Sequence, residues 1–227
     1  MKRIKYKVKI SVIILSIIVV LCGCNLFVTD KDKFYIDETI VDCLSGIDIE
    51  KAGKDIVIPA KVGDTTVRKI YLVDPYYSQI DSLDVSKIKE LESFTINLFD
   101  PKNKSKLKEL DFNKNKKLRL IEIGQTKALK NIKFNSTCES IHLKGTSVKK
   151  VELKKLEKLE DFSYFDGPLE ELDISNNPNL EEIWIKNANI KVLDVSKNPK
   201  LRIITVDEGT KIIGPTNAQI EYNKKTE

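Results

Sequence analysis

The sequence predicts a mostly β solenoid, a right-handed coil of short parallel strands with few or no helices. Three observations predict it. Seven-residue segments of the form apolar-x-x-apolar-x-apolar recur from VRKIYLV at 67 to LRIITVD at 201, and between 80 and 201 they follow one another every 11 residues on average. Successive segments alternate in character, so the true unit is a pair: 138–158, 159–179 and 180–200 are each 21 residues long. Inside each segment apolar and polar residues alternate with the period of a strand that buries one face, and no segment sustains a helical stripe. The nearest exception is VKKVELKKLEKLEDF, where Val148, Val151, Leu156 and Leu159 can be drawn as such a stripe. It falls in phase with the 21-residue repeat, which makes it strand and turn.

Composition narrows the class. Of 227 residues 41% are hydrophobic and 32% charged, which excludes a multi-span membrane protein and a mostly disordered chain. A single His and a single Met leave almost no material for a His-ligated metal site or a His-based triad. The formal net charge of +5 suggests a basic protein, but the excess is local. Lys2, Arg3, Lys5, Lys7 and Lys9 precede an apolar run from Ile10 to Leu21, and no acid occurs before Asp30. A basic stretch followed by an apolar run shorter than the roughly 20 residues of a spanning helix has the layout of a secretory signal.

The residues that follow, Leu21-Cys22-Gly23-Cys24, resemble the lipobox of bacterial lipoprotein precursors. The resemblance implies cleavage before Cys24, a diacylglycerol on its thiol, and a chain anchored by lipid (palmitate among the acyl groups) outside the cytoplasm; the Lys, Ile and Asn usage of the chain points to a Gram-positive cell surface. Cys22 is an untypical middle residue for that motif. Removing the five leader bases from the 39 of the whole chain leaves 34 against 34 acids, so the mature domain is neutral. Two acyl chains suffice for stable attachment without a polybasic patch.

The whole chain is expected to run as follows: signal peptide 1–23, lipidated Cys and polar tether 24–33, N-terminal cap 34–66, about six repeats over 67–207, and a C-terminal cap and tail 208–227. A solenoid buries only the faces between coils, so its ends need covers. ETIVDCL and KDIVIP are the expected strands of the first cover, and KIIGPTNAQIEY, broken by Gly214-Pro215, closes the far end. Residues 100–106 (DPKNKSK) are read as an insertion that bulges as a surface loop.

Residues 67–207, and LEELDISNNPNLEEIWIKNANIKVLDVSKNPKLRIITV above all, resemble a bacterial leucine-rich-repeat domain. The LDxSxNPxL segments at Leu172–Leu180 and Leu193–Leu201 match the second half of repeats in surface lipoproteins and internalin-like proteins. Ile58 to Gly63, followed by Val67 and Ile70, resembles the lead-in of repeats in the BspA-like family. Departures occur where an Asn normally ladders along the inner turn: Thr126, Thr146, Gly167 and Ala188 stand there, while Asn115, Asn177 and Asn198 take the equivalent step of the other half-coil. Those Asn are expected to bond the backbone of an adjacent coil. Which half lines the concave face stays open at this point.

Function is sought in the outward strand positions, because the fold does not specify it. One column reads Tyr71, Thr95, Glu122, His142, Ser163, Trp184, Thr205; the other reads Asp84, Asp111, Lys133, Glu152, Asp173, Asp194. A column that repeats one residue serves the coil, and one that varies is free to match a partner. The first is therefore the candidate binding face, with Lys144, Phe165 and Lys186 beside it and Trp184, the only Trp, as its aromatic anchor. Single Asp residues, one per coil and interrupted by Lys133, do not form the clustered ligand set of a calcium site. Cys43 and Cys138 read as buried small hydrophobes. No nucleophile with a base, paired-carboxylate cleft or nucleotide loop is visible, so neither an enzyme nor a cofactor is expected. The expected function is non-covalent binding of a protein or peptide partner in adhesion, host contact or envelope assembly; the alternative is a glycan or cell-wall module that stacks sugars on Trp184 and Tyr71. Nucleic acid is not expected once the leader charge is gone.

Overall fold

The computed structural model describes residues 31–73, 75–98 and 106–224. The leader, Cys24 and the body of the 100–106 insertion lie outside the described residues. All thirteen seven-residue segments hold a strand. In one half of each coil the strand is five residues long: Lys69–Val73, Ser93–Asn97, Leu120–Gly124, Ser140–Lys144, Asp161–Phe165, Glu182–Lys186 and Ile203–Asp207. In the other half it is two or three: Ser82–Asp84, Glu109–Asp111, Asn131–Lys133, Lys150–Val151, Glu171–Leu172 and Val192–Asp194. Among the described residues the one α-helix is Ile49–Ala52, a single turn, and VKKVELKKLEKLEDF is strand and turn as its phase requires.

The long strands join Phe34–Ile36, Cys43–Ile47 and Gln219–Asn223 in one ten-stranded sheet, while the short strands form separate two-stranded pieces. Every pairing in the large sheet is parallel except that of Phe34–Ile36 with Cys43–Ile47. The chain is a leucine-rich-repeat solenoid by its 21-residue coil, its continuous parallel sheet and its near-absence of helix. The core runs through the centre as stacked columns, for instance Ile70, Phe94, Ile121, Ile141, Phe162, Ile183 and Ile204, each 1% exposed or less. Each such side chain contributes about 1.5–3 kcal/mol on burial. Phe94 and Phe112 meet edge to face at 4.9 Å and tie the two halves together.

The Asn residues of the short-strand half hold adjacent coils together. Asn177 Nδ2 donates to Leu153 O (3.0 Å) and Leu156 O (2.8 Å), and Asn198 Nδ2 to Ile174 O and Asn177 O. Asn115 does the same to Val85 O and Ile88 O. Asn135, which the repeat pattern did not single out, bonds Asn115 O and Leu118 O. Most of these carbonyls already accept one N–H from their own turn, for instance Leu153 O from Leu156 N–H and Ile174 O from Asn177 N–H, and the amide side chain supplies a second donor from the next coil.

In the long-strand half, Gly167 replaces the Asn for a steric reason. Tyr164 is fully buried, and its hydroxyl donates to Val148 O at 2.8 Å. A Cβ on Gly167 would strike that hydroxyl and lie 2.8 Å from Thr146 O. The coil turns out of four consecutive long strands, Leu120–Gly124 to Glu182–Lys186, through a left-handed residue: Gln125, Gly145, Asp166 and Asn187 in succession. The first three of these donate N–H to the next coil's strand carbonyl, but Asn187 N–H goes instead to the Asp207 carboxylate, which also accepts from Ala188 N–H. The parallel register of Glu182–Lys186 with Ile203–Asp207 stops at Trp184–Thr205 as a result.

The two ends differ. At the first, the antiparallel hairpin buries Phe34 and Ile47. At the second, Gln219–Asn223 does not lie across the stack but adds to it in parallel, with Ile220 and Tyr222 in register with Ile204 and Val206 and yet 37% and 52% exposed.

Candidate functional site

The ten-stranded sheet carries the varied column, and its register brings the column into one line: Tyr71, Thr95, Glu122, His142, Ser163, Trp184, Thr205. A second line runs Lys144, Phe165, Lys186 two residues further along the strands. Adjacent strands lie about 4.8 Å apart, so side chains some twenty residues apart in sequence touch. Thr95 Oγ1 donates to Glu122 Oε2 at 2.9 Å. His142 spans two hydroxyls, Nε2 to Ser140 Oγ at 2.8 Å and Nδ1 to Ser163 Oγ at 2.6 Å. Lys144 pairs with Asp166 at 4.0 Å. Exposure is uneven: Tyr71 is 47% exposed, whereas Ser163 and Thr205 are each 4% exposed, so these two act on the surface only through their neighbours.

Around Trp184 the sheet surface is concave. A groove of about 400 Å³ is lined by His142, Glu160, Asp161, Glu181, Glu182, Trp184 and Arg202. Trp184 and His142 were expected on this face; the four acids and Arg202 were not. They come from the positions two and three residues before the outward column, and only the stacking of coils gathers them. Arg68, Glu92, Arg119, Glu139, Glu160, Glu181 and Arg202 form a rim, each after the first donating its backbone N–H to the carbonyl of the rim residue before it. Arg119 bonds Glu139 through Nε at 2.7 Å, and Arg202 holds Glu181 at 2.9 Å and Glu182 at 3.3 Å. Glu182 Oε2 also accepts from Trp184 Nε1 at 3.2 Å. Burial, and then the neighbouring Glu182, raise the Asp161 carboxyl above its ordinary value.

The repeated column does other work. Asp84, Asp111, Asp173 and Asp194 each accept the backbone N–H two residues on, at 2.7–3.0 Å. Ser175 and Ser196 hydroxyls also donate to their Asp, which holds the carboxyls of Asp173 and Asp194 below the ordinary value. Each Asp thus fixes its own turn. Lys133 completes its row by pairing with Glu109 and Asp111. Cys43 and Cys138 are buried free thiols, and burial pushes Cys138 up to about 12.

No family model matches the sequence, and no curated protein matches it. Among solved structures the chain is similar to the functional domain of InlJ from Listeria monocytogenes, which includes a cysteine ladder, at 17% identity and a TM-score of 0.39, over 71% of this chain and 42% of that one. It is also similar to an internalin, InlF, from Listeria monocytogenes, at 14% identity and a TM-score of 0.37, over 79% of this chain and 68% of that one. This chain spans less than half the length of the first.

Proposed function

We propose that this chain is a recognition module displayed outside the cytoplasm, held at the membrane of a Gram-positive cell by lipid on Cys24, and that its ten-stranded sheet binds a protein or peptide partner without covalent chemistry. The observation that carries the reading is the contrast between the columns. The repeated Asp residues are consumed by their own turns, whereas the outward residues from Tyr71 to Trp184 change from coil to coil on a continuous surface. A curved or flat run of ordered side chains on rigid strands needs little ordering on association, which favours affinity. A sugar-stacking role is less well supplied: Tyr71 and Trp184 stand five strands apart, about 24 Å, too far to hold one ring.

Immobilised full chain should retain a protein from envelope extracts and ignore a polysaccharide array. Trp184→Ala should abolish retention while the melting temperature moves by no more than about 3 °C, the scale of roughly 1 kcal/mol in a domain of this size. Retention that survives both Trp184→Ala and Glu122→Lys, or binding to polysaccharide alone, would overturn the reading. Cys24→Ala should leave unprocessed precursor without palmitate; labelling that persists would remove the anchor.

A further inference from the structure

Charge around the Trp184 groove is unevenly compensated. The mature chain is balanced, but the groove lining holds four carboxylates against Arg202. Along the rim, Arg119 satisfies Glu139 on one side and Arg202 satisfies Glu181 and Glu182 on the other. Glu160 and Asp161 lie between these pairs, and neither makes an ion pair among the described residues. Arg202 and His142 act on Asp161, and Arg119 on Glu160, only from beyond ion-pair distance, so these two adjacent acids, one of them partly buried, gain when something positive enters the groove.

Trp184 supplies the wall. Its indole N–H is tied to Glu182, which fixes the ring edge at the groove, and an indole face is the best aromatic partner for a cation.

We propose that the groove receives a lysine or arginine side chain of the partner polypeptide, its cationic end between Glu160 and Asp161 and its stem along Trp184. This rests on the reading of the sheet as a polypeptide-binding face and names the chemistry it selects. A bare metal ion fits poorly, because no three His, Cys, Asp or Glu side chains among the described residues converge to hold one. A long aliphatic stem ending in charge matches both the aromatic wall and the acids beyond it.

The only tryptophan in the chain lies at the groove, so its emission reports the site directly. Full chain titrated with a capped Gly-Lys-Gly peptide, and with its arginine analogue, should show a saturable change in Trp emission that weakens as salt is raised. The norleucine analogue, equal in stem and lacking charge, should bind about tenfold more weakly or not at all. Glu160→Gln with Asp161→Asn should weaken the lysine peptide about tenfold while leaving the unfolding temperature unchanged or raised, since the two acids repel their neighbours. Equal affinity for lysine and norleucine peptides, undiminished lysine binding in the double variant, or the same emission change on adding calcium chloride alone would overturn the proposal. Retention of an envelope protein that falls on Trp184→Ala but not on Glu160→Gln with Asp161→Asn would overturn the cation pocket and leave the binding face standing. A chain that binds the lysine peptide and retains no envelope protein would do the reverse.

Discussion

The two halves of each coil solve different problems with the same strand pattern. In the short-strand half the outward residue is nearly always acidic and the turn residue is often Asn, and both are spent on the coil: Asp173 on the N–H of Ser175, Asn177 on two carbonyls of the coil before. In the long-strand half the outward residue changes at almost every step, and hydrogen bonds such as Thr95 to Glu122 run across the surface rather than back into the turn. Repetition along a solenoid marks residues the coil needs. Variation marks residues that the coil leaves free.

That contrast can be broken experimentally, and the largest effect should come from the repeated half. Asn177→Ala removes the only side-chain donor shown to Leu153 O and Leu156 O, both buried, and should cost about 2–4 kcal/mol. Thermal unfolding followed by circular dichroism should show a fall of about 5–15 °C. Gly167→Ala, in the other half, drives a methyl into Tyr164 Oη and Thr146 O and should cost about 1–3 kcal/mol. Tyr164→Phe in that background should recover part of the loss, and a double-mutant cycle with no coupling would remove this explanation of the missing Asn.

Smaller still, Asp173→Ala should cost about 0.5–1 kcal/mol, the scale of a lost turn cap at an exposed site. Its pH dependence has a definite sign. Asp173 is held below its ordinary value by the Ser175 hydroxyl, so its contribution is complete above the ordinary carboxylate range and disappears as pH falls through the lowered value. The variant should therefore lose less stability than the parent on acidification in that window. Cys138 sharpens the picture at no cost to the fold: with its thiol raised to about 12 it should resist alkylation at pH 8 in the native state and react in urea.

The strands were legible in the sequence because burial of every second residue leaves a direct trace, and all thirteen segments proved to hold one. The Asn ladder was legible for Asn115, Asn177 and Asn198 by their common step. Asn135 escaped because its half-coil is shorter, which moves the Asn off that step while its amide still reaches Asn115 O and Leu118 O. The reading of KIIGPTNAQIEY as a cover did not anticipate that Gln219–Asn223 extends the sheet: an apolar alternation looks the same whether or not another coil follows, and the exposure of Ile220 and Tyr222 is not written in it. Of the groove lining, Trp184 and His142 were legible as outward-facing residues by their phase. Glu160, Asp161, Glu181, Glu182 and Arg202 were not, because surface charges at the edge of a strand are common and only their neighbours distinguish these.

By itself the sequence determined the coil: a 21-residue period, two strands per turn, one buried stripe in each, and equal numbers of acids and bases beyond residue 23. Those follow from periodicity and composition, which are local properties of the chain. The tertiary structure alone decided which acids have partners. Parallel stacking sets residues about twenty positions apart within ion-pair reach, so whether Glu139, Glu160 and Glu181 are neutralised depends on where Arg119 and Arg202 fall in the register. Two carboxylates are left beside the one tryptophan by that geometry, and no property of either segment alone would place them there.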